Sequence, residues 1–206
     1  MERKQPALKI LLVGATGRLG TALHATLTKR GHEVVGASRS HTEHPVDLTD
    51  PETVRGLYER TGRLDAVACA AGSTPYKPLG ELTRDDYLSG FLNKALGQIE
   101  LVRLGLPVIA PRGSFTLITG ILAREPIVTS AAASTANGAV EAFVRAAALE
   151  AAPVRVNAVS PTVITEALDK YADFFPGFEP VPLERVVQAY VRSIEGAETG
   201  RVFELG

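Results

Sequence analysis

Apolar positions along the 206-residue chain fall into two patterns whose alternation sets the fold. Short, continuous apolar or β-branched runs bounded by Gly, Pro or polar residues read as strands over 9–13, 33–37, 65–68, 114–119, 155–159 and 202–205. Strands buried on both faces show no polar alternation, so these runs point to a parallel sheet covered by helices. Between the runs, apolar residues recur at helical spacing. Asp50 before Pro51 marks the start of a helix over 51–60, and Thr83 with Asp86 three residues on forms a capping box for another. This order of elements is that of an α/β Rossmann-type doubly wound sheet, expected here as one domain over 1–206 with six strands.

Two segments depart from that plan. Only residues 38–45 separate the second strand from Val46-Asp47-Leu48, fewer than the dozen or so that a helical crossover needs, so the outer third strand and its helix are expected to be lost. Segment 171–182, from Tyr171 to Pro182, is rich in Phe and Pro, lacks a helical period and reads as a lid or loop.

The first strand runs directly into Gly14-Ala15-Thr16-Gly17-Arg18-Leu19-Gly20, followed by a helical pattern through Leu23 and Leu27. Glycines at this spacing permit a tight turn and close backbone approach to a pyrophosphate, while the helix start supplies unpaired N–H donors and partial positive charge. Gly14, Thr16, Gly17, Arg18, Leu19 and Gly20 are therefore candidate cofactor-binding residues. At the end of the second strand a carboxylate would accept the ribose hydroxyls of NAD, but the chain has Ser38-Arg39-Ser40. An arginine there suits a 2′-phosphate, with the serines adding neutral hydrogen bonds, which points to NADP(H) as the cofactor.

Composition narrows the partners. A net charge of −1 gives no basic face for nucleic acid or an anionic membrane, so a small-molecule substrate is expected. The single cysteine, Cys69, allows no intrachain disulfide and fits a reducing cytoplasm. It follows a buried run and reads as packing. No apolar stretch reaches membrane-spanning length, and no targeting segment is expected. His41-x-x-His44 has metal-like spacing without further ligands nearby, so no metal is expected.

In order along the chain, Gly14 to Gly20, Asp47-Leu48, Cys69-Ala70-Ala71-Gly72, Arg155-Val156-Asn157-Ala158-Val159-Ser160-Pro161 and Thr199-Gly200 resemble landmarks of the short-chain dehydrogenase/reductase family, in shortened form. The resemblance implies that Asp47 and Leu48 contact adenine and that Ala70, Ala71 and Gly72 flank the adenosine ribose. It further implies that Pro161 leads into the nicotinamide pocket, where Thr162 replaces the usual glycine and the backbone at Val163 and Ile164 meets the carboxamide. The family's chemistry uses a tyrosine proton donor, a lysine, a serine and a supporting asparagine. Here Gly120 aligns with the serine, with Thr119 just before it, Ala133 with the tyrosine and Asn137 with the lysine. None of Tyr58, Tyr76, Tyr87, Tyr171 and Tyr190 has a lysine four residues later. Lys94-x-x-Gly97 matches the family's Asn-x-x-Gly, which puts Lys94 in place of the supporting asparagine, beside Asn93.

The resemblance is thus to a divergent subgroup without the usual Ser-Tyr-Lys residues. One reading is an oxidoreductase for a small carbonyl or alcohol. Its expected catalytic group has Lys94 stabilising the oxyanion or donating a proton, Thr119 donating a hydrogen bond, and Asn137 holding the nicotinamide ribose; Tyr76 is a second possible donor. The other reading is a catalytically inactive NADP(H)-binding sensor or regulatory protein. The alanine-rich helix expected over 137–150, from Asn137 to Glu150, offers small side chains for a homodimer or homotetramer.

Overall fold

Seven strands form one sheet in the order third, second, first, fourth, fifth, sixth, seventh, every neighbouring pair parallel. The computed structural model describes residues 6–40 and 42–206; residues 1–5 and His41, and with it the His41-x-x-His44 spacing, lie outside the described residues. The elements run β1 (Lys9–Val13), α1 (Arg18–Lys29), β2 (Glu33–Ser38), β3 (His44–Pro45), α2 (Pro51–Thr61), β4 (Leu64–Cys69), α3 (Arg84–Gly90) and, after a π-helical turn over Phe91–Leu96, α4 (Gly97–Gly105). They continue through β5 (Ile109–Ile118), α5 (Ala131–Glu150), β6 (Arg155–Pro161), the short α6 (Leu168–Tyr171), α7 (Leu183–Glu195) and β7 (Val202–Leu205).

The expected count of six strands is corrected to seven. The third strand survives as two residues, pairing Ala37 with His44 and Ser38 with Pro45, and the described residues between it and β2 form no crossover helix. Thr42 makes so short a connection possible: its hydroxyl donates to the Gly36 carbonyl at 2.8 Å and accepts from the His44 N–H at 3.2 Å. The expected start of the fifth strand at 114 moves forward to Ile109. The extra residues are absorbed by a shift of register against β4, with Arg112 at φ 66°. That irregular stretch broke the apolar pattern in the sequence.

Helix signals at the N-termini are realised. The Asp50 side chain accepts from the Glu52 N–H ahead of Pro51, and Thr83 and Asp86 complete a reciprocal capping box. The expected start of the long helix at Asn137 is corrected to Ala131, so Asn137 lies in the helix interior. Residues 131–136 are small and carry no apolar stripe, which hid the first turns.

β1 and β4 are neighbours at the centre of the sheet, and the chain winds outward from them in opposite directions. Such a switch point opens a crevice beyond the carboxyl ends of the two strands. The core beneath it is built from fully buried Ile10, Leu11, Leu12, Val67 and Phe115, with Leu23 and Leu27 from α1 and Val186, Tyr190 and Ile194 from α7 packed on one face. Tyr190 is buried completely because its hydroxyl finds an acceptor, the Cys69 carbonyl at 2.6 Å. Among the described residues, no helix is long and apolar enough to cross a membrane.

Candidate functional site

Gly14 leaves β1 at φ 86°, and its N–H donates to the Ala37 carbonyl at 2.8 Å, which ties the turn to β2. The turn then closes so tightly that a Cβ on Gly20 would lie 2.0 Å from the Gly14 carbonyl oxygen. Gly17 caps α1 without any side-chain hydrogen bond, and no acid occupies the first helical turn. The helix therefore begins with unsatisfied N–H groups in a cradle that only backbone and glycine can form, a good fit for a pyrophosphate. Thr16 and Arg18 are exposed beside it.

Across the switch point, Ala70 follows β4 and its N–H donates to the Val13 carbonyl, while Gly72 turns at φ 136°. Next to β2, Ser38 is buried and its hydroxyl donates to the Ser40 carbonyl, so it shapes the turn that presents Arg39 and Ser40 to solvent. The N–H and hydroxyl of Thr49 hold the Asp47 carboxyl below its ordinary range, with the nearby Arg39 charge helping. Leu48 packs against Gly97, where a Cβ would lie 2.7 Å from Leu48 Cβ. The residues expected at pyrophosphate, adenine and ribose thus converge on one end of the crevice.

The other end is a cleft of about 660 Å³, a size suited to a nicotinamide and a small substrate together. Lys94, Thr119, Gly120, Asn137, Pro161, Val163 and Ile164 all line it. Lys94 sits in the π-helical turn and is half-buried, and its Nζ has no hydrogen bond or ion pair within the described chain. Burial pushes its amine down to about 8, against a smaller opposing influence from Cys69. A wider helical turn leaves backbone groups to be satisfied otherwise. Fully buried Gln98 does this: its side-chain amide donates to the Lys94 carbonyl at 2.8 Å and the Ile118 carbonyl at 2.9 Å, and its oxygen accepts from the Ile118 N–H. Gln98 thereby locks the lysine-bearing turn to the end of β5.

Asn137 is 6% exposed, and its Oδ1 is buried without a partner. The N–H groups of Val163 and Ile164 likewise donate to no acceptor within the described chain. Uncommitted polar groups lining one cleft are what a carboxamide and ribose would satisfy.

Thr119 differs from expectation. Its hydroxyl donates to Glu141 Oε1 at 3.1 Å, inside the protein and not into the cleft. Glu141 lies one turn beyond Asn137 on α5, 6% exposed, and also accepts from Arg124 at 2.7 Å and Ser160 at 3.1 Å. A buried carboxylate needs such donors, and Thr119 is recruited as one. Ala133 is packed with Ile121 and Leu122, with Phe175 and Phe178 against them, so the position aligned with the tyrosine is apolar. Cys69 is fully buried; burial pushes its thiol up to about 11, which keeps it a packing residue. Tyr76 stands 48% exposed at the cleft mouth.

Sequence reasoning missed Gln98, Arg124 and Glu141. The available signal was an acid on the inward face of an alanine-rich helix, at the spacing that stacks it on Asn137. It also missed Lys170 at the mouth, one residue before the segment 171–182 expected as a lid or loop; the end of α6 and a short 3-10 turn over Ala172–Phe174 give the start of that segment partial helical form.

Comparison with known proteins adds four findings. A family model described as enoyl-(acyl carrier protein) reductase matches residues 17–194. The crystal structure of the protein lin1944 from Listeria innocua superposes with a TM-score of 0.94 at 43% identity, covering 97% of this chain and 100% of that one. A small-chain dehydrogenase solved in complex with NADPH superposes with a TM-score of 0.86 at 24% identity, covering 97% of each chain. L-xylulose reductase of Mesocricetus auratus is 23% identical over 215 residues, covering 96% of this chain and 88% of that protein.

Proposed function

The chain belongs to the short-chain dehydrogenase/reductase family, and from that premise we propose that it is an NADP(H)-dependent oxidoreductase acting on a small carbonyl or alcohol through a site centred on Lys94. One observation carries this reading: a half-buried, unpartnered lysine lines the same cleft as the uncommitted Asn137, Val163 and Ile164 groups. The likeness to a dehydrogenase holding NADPH supports the cofactor type, and Arg39 supports the phosphorylated form.

In this reading Gly14, Thr16, Gly17, Arg18, Leu19 and Gly20 hold the pyrophosphate, and Ser38, Arg39 and Ser40 surround the 2′-phosphate. Asp47 and Leu48 meet adenine, and Ala70, Ala71 and Gly72 flank its ribose. Asn137 holds the nicotinamide ribose, and the backbone at Val163 and Ile164, after Pro161, meets the carboxamide. When bound, the nicotinamide supplies a hydride to a carbonyl carbon, or takes one back in the reverse direction. The Lys94 ammonium gives a proton to the carbonyl oxygen and is reprotonated from solvent. Before that transfer its charge stabilises the developing oxyanion in a partly desolvated cleft, where electrostatic interactions are stronger than in water. The exposed residues Thr135, Ala142, Ala146 and Leu149 on α5 support self-association through that helix, and the single buried cysteine supports a cytoplasmic setting.

The second reading, an inactive NADP(H) sensor, is favoured by the commitment of the Thr119 hydroxyl to Glu141 and the apolar packing of Ala133. Single-turnover oxidation of NADPH in the presence of carbonyl compounds separates the two. Substrate-dependent oxidation that is lost in Lys94→Ala supports the enzyme; tight NADPH binding without oxidation supports the sensor.

A further inference from the structure

Two lysines, Lys94 and Lys170, line the cleft, and no Asp or Glu among the described residues does. The cofactor's phosphates belong at the start of α1, whose Leu19 borders the cleft, and beside Arg39, whereas its nicotinamide ring brings no negative charge. Lys170, on α6, is exposed, and its Nζ stands 5.0 Å from the centroid of the Tyr171 ring, a contact that leaves the positive charge unneutralised. Asp169 and Asp173 are its neighbours in sequence, yet no ion pair to Lys170 forms within the described chain.

The mouth around Lys170 is aromatic. Tyr76 comes from the loop after β4, and Tyr171, Phe174 and Phe175 come from the segment between β6 and α7. The Tyr76 and Tyr171 phenols border one opening from opposite segments. Thr162 also lines the cleft, and its buried Oγ1, like Asn137 Oδ1, has no hydrogen-bond partner among the described residues.

Resting on the oxidoreductase reading, we infer that the substrate is a small carbonyl compound carrying its own carboxylate on an apolar or aromatic body. The carboxylate pairs with Lys170 at the mouth, the body packs among Tyr76, Tyr171 and Phe174, and the carbonyl reaches Lys94. Two cations lining one cleft without an acid select an anion, and aromatic walls select the body attached to it. A neutral carbonyl of the same shape would leave Lys170 without its partner.

The test compares 4-carboxybenzaldehyde with its methyl ester, and succinic semialdehyde with butanal, at saturating NADPH, in the parent, Lys170→Met and Lys170→Arg. The expected result is a kcat/KM at least tenfold higher for each acid than for its neutral counterpart. Lys170→Met should lower kcat/KM for the acids at least tenfold more than for their neutral counterparts, Lys170→Arg should retain the preference, and added salt should shrink it. Equal kcat/KM for acid and neutral compounds, or an equal loss for both in Lys170→Met, overturns the inference and leaves the oxidoreductase reading standing. Calorimetric binding of the same compounds to the NADP-loaded protein gives a readout without turnover. If nothing is turned over but the acids bind more tightly and Lys170→Met abolishes the difference, the anion site stands and the oxidoreductase reading falls. If neither turnover nor binding prefers the acids, the inference falls.

Discussion

The Lys94 side chain lies directly over Gly72: a Cβ at Gly72 would come within 2.6 Å of Lys94 Cδ and 3.4 Å of its Cα. Gly72 also holds φ 136°, a conformation that L side chains rarely adopt. Gly72→Ala should therefore cost about 1–3 kcal/mol of stability and displace the lysine. Its kcat for carbonyl reduction should fall at least tenfold, by more than NADPH affinity falls. Thermal unfolding, steady-state kinetics and an NADPH titration check this; unchanged kcat would show that the contact does not position Lys94.

In the proposed reaction, Lys94 sets a pH dependence whose sign is fixed. Its amine is held at about 8, below the ordinary 10.5, chiefly by burial. Cys69, the group with a resolved influence on it, is raised to about 11 and stays a neutral thiol through this window. Carbonyl reduction needs the ammonium, so kcat/KM should fall as pH rises through about 8, while alcohol oxidation should rise. Folding disfavours the protonated lysine, so its stability penalty is fully present below about pH 8 and is relieved between that value and 10.5. Lys94→Met should bind NADPH normally, lose the kinetic pH step and lose this gain in stability with pH. A parent profile flat across that range would remove Lys94 from the chemistry.

Arg39 is the proposed selector between the two nicotinamide dinucleotides. Arg39→Asp should weaken NADPH binding by about 10- to 100-fold through loss of a charge-assisted pair and addition of a like charge, while NADH binding improves or holds. Fluorescence titration with both cofactors measures the ratio. An unchanged ratio would assign 2′-phosphate recognition elsewhere.

Much of this arrangement was legible in the sequence because local physics specified it. The Gly14 to Gly20 turn, the Asp50 and Thr83 caps and the apolar strand runs each follow from constraints within a few residues. The departures arise where distant residues decide. β3 depends on Thr42 bonding back across β2, a contact that no period announces. Asn137 and Lys94 could be named from the family resemblance, but the direction of the Thr119 hydroxyl depended on Glu141, 22 positions away in sequence. The cradle at Gln98 was invisible for the same reason: a lone glutamine on an amphipathic helix gives no sign that it satisfies three backbone groups.

Those concealed contacts carry their own expectation. Gln98→Leu leaves the Lys94 and Ile118 carbonyls and the Ile118 N–H without their partner, and should cost about 2–4 kcal/mol. Glu141→Leu removes the acceptor shared by Arg124, Thr119 and Ser160, leaving Arg124 with Ser160 and Glu204 and Thr119 with the more distant Val159 carbonyl, and should cost about 2–3 kcal/mol, less than a fully buried pair because Arg124 is partly exposed and keeps those partners. Urea denaturation of each variant gives the comparison, and losses below half a kcal/mol would show these networks to be incidental.

The central claim is that Lys94 makes this cofactor cleft reactive. Its most direct measurement is single-turnover loss of NADPH absorbance with enzyme in excess, using 4-carboxybenzaldehyde and succinic semialdehyde, in the parent and in Lys94→Ala. The parent should oxidise NADPH rapidly and the variant at least 100-fold more slowly, with NADPH affinity retained, as expected for loss of general acid catalysis. Equal oxidation rates in the two proteins, or none in a parent that binds NADPH tightly, would contradict it.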